Sequence, residues 1–308
     1  MQRRRMLQTM SAGAVALFGQ LPGRADQVDP RTGAQLVRKR YESKATGAPR
    51  EYFLYLPVGY QSETAKKWPV ILFLHGGGER GDGLEELKYT LRYGPLMEAW
   101  TQGRDLPFII INPQMPMFEP PQHERPPLPE RSPEGAAPPR DYGNRPSQPM
   151  AREAANEEPP PQSPRYPPWM RWETLEDEVL AMVDNTLADY RADTGRVYLT
   201  GLSYGGYGTW FLGTRHPKRW AAIAPICGDG DPKLVDRLVA QELPLWIFHG
   251  GRDTVVQPWR SLEMAVALEA AGHPDVRLTV HEDLGHNVWT RVYEGQDLYS
   301  WFLKHRRE

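Results

Sequence analysis

Short apolar runs recur along the chain, each ending in turn residues. Two alternating runs, Gln35–Ser43 and Arg50–Leu56, flank Ala45-Thr46-Gly47-Ala48-Pro49 and predict a β-hairpin. Trp68-Pro69-Val70-Ile71-Leu72-Phe73-Leu74 is almost continuously apolar, the pattern of a strand covered on both faces. Further strand-like runs lie at 108–111, 196–200, 221–226, 243–248 and 276–280. Helical periodicity separates them. Between Thr174 and Asp193 apolar residues recur at Leu175, Val179, Met182, Val183, Leu187 and Tyr190, with Thr174 and Asp177 as a capping-box start and Gly195 as the stop. Helices are also expected from Glu85 (interrupted at Gly94-Pro95), near 233–241, over 258–271 and near 296–304. Two hairpin strands, then six strands joined by crossover-length connections, predict an α/β fold. Its sheet would be mostly parallel and eight-stranded, with helices on both faces.

The pattern breaks between 113 and 168. This stretch holds 18 of the 31 prolines and no lysine. It has too little apolar surface to offset the entropy of ordering it. It leaves the carboxyl end of a strand, where open α/β sheets place their sites, so it is a candidate lid over a cleft as well as a candidate disordered insertion. The first 25 residues read as an address. Arg3-Arg4-Arg5 precedes a short apolar run, Ala12 to Leu21, and the small residues Gly23-Arg24-Ala25 offer a cleavage point before Asp26. Arg3-Arg4-Arg5-Met6-Leu7 resembles a twin-arginine export signal. The expectation is an exported protein, periplasmic or extracellular, with residues 26–308 as one domain.

Composition narrows the picture. The 308 residues suffice for one large α/β domain, and the net charge of −2 gives no basic patch for nucleic acid. A lone Cys227 excludes an internal disulfide and a cysteine metal cluster, and its place after an apolar strand marks it as a small core residue. No segment outside the leader is long and apolar enough to suggest a membrane span. Nothing fixes an oligomeric state.

Candidate chemistry gathers at strand ends. Gly201-Leu202-Ser203-Tyr204-Gly205 is a G-x-S-x-G pentapeptide between a strand and a small-residue stretch able to start a helix. That context pushes a serine hydroxyl clear of the sheet as a nucleophile. The pentapeptide alone is a weak signal, and the order of the later strand ends strengthens it. The run 243–248 ends in His249-Gly250-Gly251-Arg252-Asp253, and the next strand ends in His281-Glu282-Asp283-Leu284-Gly285-His286. Asp253 and His286 thus stand after successive strands in the order acid, then histidine, that the serine needs. Asp229 and Asp231 are rival acids. Upstream, the strand 69–74 ends in His75-Gly76-Gly77-Gly78. There the N–H of Gly76 or Gly77, with that of Tyr204, could face a developing oxyanion. Trp259 and Trp289 lie close enough in sequence to Asp253 and His286 to line a cleft or to pack beneath it. His75 and His249 read as supports of their turns, and His281 as held by packing. His123, His216, His273 and His305 read as surface residues.

With these pieces in place the chain resembles the α/β-hydrolase superfamily. Leu74-His75-Gly76-Gly77-Gly78-Glu79-Arg80-Gly81 and Leu199-Thr200-Gly201-Leu202-Ser203-Tyr204-Gly205-Gly206-Tyr207-Gly208-Thr209-Trp210 are similar to a branch of secreted serine esterases. The branch includes feruloyl and acetylxylan esterases and polyhydroxybutyrate depolymerases, often labelled prolyl-oligopeptidase-like. The resemblance covers about 34–113 and 169–304, and it departs at 113–168, where the branch has a short link. It implies the α/β-hydrolase fold, Ser203 as nucleophile, Asp253 as acid and His286 as base. It implies an acyl-enzyme route on a small-molecule or polysaccharide-linked ester, with no metal and no cofactor. Two other classes remain open at this point: a serine peptidase of the same fold, and a non-catalytic carbohydrate- or surface-binding protein on a hydrolase scaffold.

Overall fold

The computed structural model describes residues 26–117, 127–131 and 172–308. One sheet organises them. Its strands are β1 (Gln27–Val28), β2 (Gln35–Ser43), β3 (Ala48–Leu56), β4 (Trp68–Leu74), β5 (Ile109–Asn112), β6 (Ala192–Leu202), β7 (Ala222–Ile226), β8 (Leu245–Gly250) and β9 (Val276–His281). They lie in the order β1-β2-β3-β5-β4-β6-β7-β8-β9. The β1-β2, β2-β3 and β3-β5 pairs are antiparallel and all later pairs parallel. The sheet therefore has nine strands where the apolar pattern predicts eight. The extra one, β1, has two exposed residues and carries no hydrophobic alternation to read.

Period-two alternation divides the core. Val70, Leu72 and Leu74 of β4 face one apolar layer with Val197, Leu199, Leu245 and Ile247. Ile71 and Phe73 face the other with Tyr198, Leu202 and Phe248. Helices α1 (Glu176–Asp189), α2 (Tyr204–Arg215), α3 (Asp236–Val239) and α4 (Trp259–Ala270) cover the first layer. Helices α5 (Trp289–Glu294) and α6 (Asp297–Lys304) cover the second, with the segment 86–101. Every residue of β4 is buried, as a strand sandwiched between two layers requires.

Local expectations shift in three places. The helix expected from Glu85 is a 3-10 turn (Glu86–Leu91) and a single π turn (Met97–Thr101). Gly94 between them has φ +89 and sits against the Phe73 ring, where a Cβ would come within 2.2 Å. The helix expected to run to Gly195 ends at Asp189, and β6 starts at Ala192 and passes through Gly195. Its start carries no side-chain cap, because Thr174 lies inside a preceding 3-10 turn, Trp172–Leu175.

The insertion is described only at 113–117 and 127–131. Its first residues stay at the carboxyl ends of the parallel strands, where Pro116 bridges Gly81. Arg131 docks elsewhere. It donates to Asp29 Oδ2 at 2.6 Å and lies 4.0 Å over the Trp100 ring. Asp29 precedes β2, at the end where Gln35 pairs with Leu56, which is the opposite end of the sheet. The remainder of the insertion, the lid expectation and the export signal fall outside the described residues.

Candidate active site

The site forms where the strand order reverses. β4 has β5 on one side and β6 on the other, so the turns after β4 and β6 diverge and leave a crevice at their carboxyl ends. The turn after β6 holds Ser203 at φ 52, ψ −116, a conformation that costs a non-glycine residue about 1–3 kcal/mol. Its surroundings enforce it. The Ser203 N–H donates to Ile226 O at 3.0 Å, and its carbonyl accepts from the Tyr207 N–H at 3.0 Å as α2 begins. A Cβ at Gly205 would lie 1.7 Å from Leu74 O, and one at Gly201 2.4 Å from Gly205 O. Only glycine fits these approaches, and the result is a hydroxyl lifted above the sheet.

Ser203, Asp253 and His286 come together from three strand ends. His286 Nε2 lies 2.9 Å from Ser203 Oγ, and His286 Nδ1 lies 2.7 Å from Asp253 Oδ2. The carboxylate only accepts, so His286 carries its proton on Nδ1 and turns the Nε2 lone pair to the serine. Asp253 is buried, and its other oxygen, Oδ1, accepts from the N–H groups of Val255 (2.8 Å) and Val256 (2.9 Å). Burial by itself would raise this carboxyl. The His249 and His286 imidazoles and the Val256 N–H outweigh it and hold the group well below the usual carboxylate range. Asp253 is therefore a fixed anion against His286 Nδ1.

The rival acids are used elsewhere. Asp229 pairs with Arg260 at 2.6 Å, and Asp231 accepts from the Lys233 N–H at the start of a 3-10 turn. Cys227 is fully buried beneath the site, and burial pushes its thiol well up. Ligand atoms of Cys227, Asp253 and His286 lie within 4.8 Å of one another. The 2.7 Å contact between the acid and the imidazole is shorter than the roughly 3.3 Å separating two tetrahedral zinc ligands, so this trio is a hydrogen-bonded pair beside a thiol.

Gly76 and Gly77 lie beside the serine turn. A Cβ on Gly76 would stand 3.6 Å from Ser203 Cβ, and one on Gly77 3.2 Å from the Tyr204 ring. Tyr204 is the first residue of α2, directly after Ser203. The H-G-G-G turn is held by polar groups. His75 Nε2 accepts from the Met115 N–H at 2.9 Å, leaving Nδ1–H to donate to Gly76 O at 2.6 Å. Trp172 Nε1 donates to His75 O at 3.3 Å. Farther along the loop, Gln114 donates to Glu79 O and Glu86 O, and Arg50 to Gly81 O and Gln114 O. Sequence reasoning missed Arg50 and Gln114. A lone arginine in a hairpin and a glutamine in a proline-rich stretch carry no periodic signal.

Of the two tryptophans, Trp289 stands edge-to-face with His286, centroids 5.2 Å apart at 88°. It also makes a ring contact with Tyr93, centroids 5.6 Å apart. Trp259 carries the Arg260 guanidinium 4.5 Å over its ring, and among the described residues no ring contact or hydrogen bond links it to Ser203, Asp253 or His286. His273, expected on the surface, is buried, and burial lowers its pKa.

Comparison with known proteins agrees with this architecture. A thermostable esterase of known structure is 26% identical with a TM-score of 0.61, and the match covers 88% of this chain and 63% of that one. A CE1 ferulic acid esterase from Anaeromyces mucronatus has 17% identity and a TM-score of 0.55, with 93% of each chain covered. S-formylglutathione hydrolase from Staphylococcus aureus has 15% identity and a TM-score of 0.57 over 90% of this chain and 99% of that one. The chain has the α/β-hydrolase fold. The chain matches the prolyl oligopeptidase family over residues 233–308, a span that contains Asp253 and His286 but not Ser203. The chain spans 63% of the length of the thermostable esterase. No curated protein matches its sequence. Among the described residues, no helix is long and apolar enough to cross a membrane.

Proposed function

We propose that the protein is a serine hydrolase that cleaves carboxylic esters through an acyl-enzyme. One observation carries the reading: Oγ of Ser203, both nitrogens of His286 and Oδ2 of Asp253 form one chain of contacts at 2.9 and 2.7 Å. His286 Nε2 takes the Ser203 proton as Oγ attacks the carbonyl carbon, and Asp253 stabilises the imidazolium that results. The oxygen that becomes anionic is held by N–H groups of Tyr204 and of Gly76 or Gly77. His286 then protonates the departing alcohol. A water deprotonated by the same nitrogen attacks the acyl-enzyme, and Ser203 is released with a carboxylic acid.

The substrate class we favour is a feruloyl or acetyl ester, free or attached to a polysaccharide. Trp289 beside the base, with Tyr93 against Trp289, supports an aromatic or flat acyl group, and the likeness to ferulic acid esterases agrees. The protein is further proposed to be exported, on the strength of its first 25 residues; fractionation of the native host tests this directly. The deciding experiment assays the purified protein on aryl acetate, methyl ferulate and acetylated-sugar esters, with Ser203→Ala as control. Turnover by wild type and none by the folded variant is expected. Equal turnover by both would end the proposal. The family match over 233–308 favours a second reading, a serine peptidase. Cleavage of a peptide anilide faster than any ester would select it.

A further inference from the structure

A second imidazole touches the acid. His249, at the end of β8, is wholly buried, and its Nε2 stands 3.3 Å from Asp253 Oδ2, the oxygen that also meets His286. Its other contacts fix its proton. Nε2 lies 2.8 Å from Val256 O, and Val256 O and Asp253 Oδ2 are both acceptors only, so the hydrogen is on Nε2. Nδ1 lies 2.7 Å from the Ser261 hydroxyl of α4. The ring is pinned at both nitrogens and lays its Nε2–H edge along the carboxylate.

We infer that His249 is a positioning residue for the reaction: it fixes the turn that carries Asp253 and, through its N–H edge, sets the direction in which Oδ2 faces His286. The inference rests on the serine-hydrolase reading above. Two geometric facts carry it. Oδ1 is held by two backbone N–H groups of the same turn, so the carboxylate plane follows that turn. The carbonyl of Val256, within the turn, is in its own right held by His249. Loss of the Nε2 donor frees the turn and leaves Oδ2 with one imidazole partner in place of two. His286 is then less well aimed at Ser203, although no group that touches substrate has changed.

The test compares two substitutions. His249→Gln keeps a donor near Nε2, and His249→Asn keeps a polar group only near Nδ1. Each is followed by thermal melting, by kcat and KM on an aryl ester, and by the labelling rate of Ser203 with a fluorophosphonate. The expected result is His249→Gln within threefold of wild type. His249→Asn should lose at least tenfold in kcat and labelling rate, with KM within twofold and melting close to wild type. A His249→Asn protein as fast as wild type overturns the inference. So does an equal loss in both variants that tracks melting alone. If His249→Asn does not fold, Ser261→Ala, which releases Nδ1, takes its place. A threefold or greater loss of kcat at unchanged KM then supports the inference, and wild-type kcat overturns it. Wild-type protein that no fluorophosphonate labels defeats the serine-hydrolase reading instead, so the two failures are distinct.

Discussion

Replacing Asp253 with asparagine should invert the proton on His286 while leaving the fold in place. The substitution removes a charge and keeps the shape. Which way the new amide points is dictated by its neighbours. Oδ1 of Asp253 accepts from the Val255 and Val256 N–H groups at 2.8 and 2.9 Å, so the amide oxygen must stay there. Turning the amide over would set its NH₂ against both of these N–H donors, at about 1–3 kcal/mol for each bond lost, whereas the orientation kept opposes only the longer 3.3 Å approach of His249 Nε2 to the place of Oδ2. The NH₂ therefore occupies the place of Oδ2, 2.7 Å from His286 Nδ1. A donor there forces Nδ1 to accept, which moves the ring proton to Nε2 and points it at Ser203 Oγ, 2.9 Å away. The histidine can no longer take the serine proton. In triads of this kind the inversion costs about 10⁴ in kcat, or about 5.5 kcal/mol at 1.36 kcal/mol per decade. The assay is kcat for aryl-ester hydrolysis near pH 7.5, with melting measured in parallel. A folded Asp253→Asn protein within tenfold of wild type would refute the reasoning, because it would mean that His286 does not depend on the acid for its tautomer.

Four more outcomes are expected from the same geometry. Ser203→Gly should be as inactive as Ser203→Ala but more stable by about 1 kcal/mol, since glycine relieves the positive φ; equal melting temperatures would show that the turn is not strained. Trp289→Ala removes ring contacts to His286 and Tyr93, about 1–2 kcal/mol together, and should lower kcat/KM roughly 5- to 30-fold; wild-type kcat/KM would place Trp289 outside the site. Burial raises the Tyr52 hydroxyl to about 12 and lifts Tyr55, Tyr198 and Tyr293 higher still. Their folded values exceed the unfolded one of about 10, so their contribution is complete below pH 10 and is lost as pH rises beyond it; melting that is flat from pH 9 to 12 would contradict this. The Arg31 guanidinium, outweighing the opposing effect of burial and helped by Arg131, lowers Asp29 to about 2. Its stabilisation is present above pH 4 and fades as pH falls through 2, so Asp29→Asn should flatten that acid limb by on the order of 1–2 kcal/mol, as read by denaturant titration.

The parts of this molecule legible in its sequence are those with a short-range signature. The buried strand 69–74, the glycines around Ser203 and the placing of Asp253 and His286 after consecutive strands all come from local residue choice. So does the mostly parallel sheet, because crossover-length connections leave few alternatives. The features that escaped the pattern depend on contacts distant in sequence. The helix expected from Glu85 is pinched into 3-10 and π turns where Gly94 meets Phe73, twenty-one positions earlier in the chain. Gly195 reads as a helix stop, yet its backbone accepts from the Arg307 N–H near the C-terminus. His249 reads as a support for its own turn, which is half of what its position shows. The other half, the approach to Asp253 Oδ2, needs the turn to fold back four residues later. His273 carries a polar side chain in a polar stretch, and only the packed structure reveals that it is buried.

The strand order also bears on how activity would be lost. Ser203 rides on β6, which is paired on both sides in the middle of the sheet, whereas His286 comes after β9, which among the described residues is an edge strand with one neighbour and mostly half-buried residues. Amides of β9 should exchange with deuterated solvent well before those of β6, since openings of lowest cost begin at a rim. Denaturant too weak to unfold the protein would then detach the base from its serine. Inactivation would precede any change in ellipticity and would reverse on dilution.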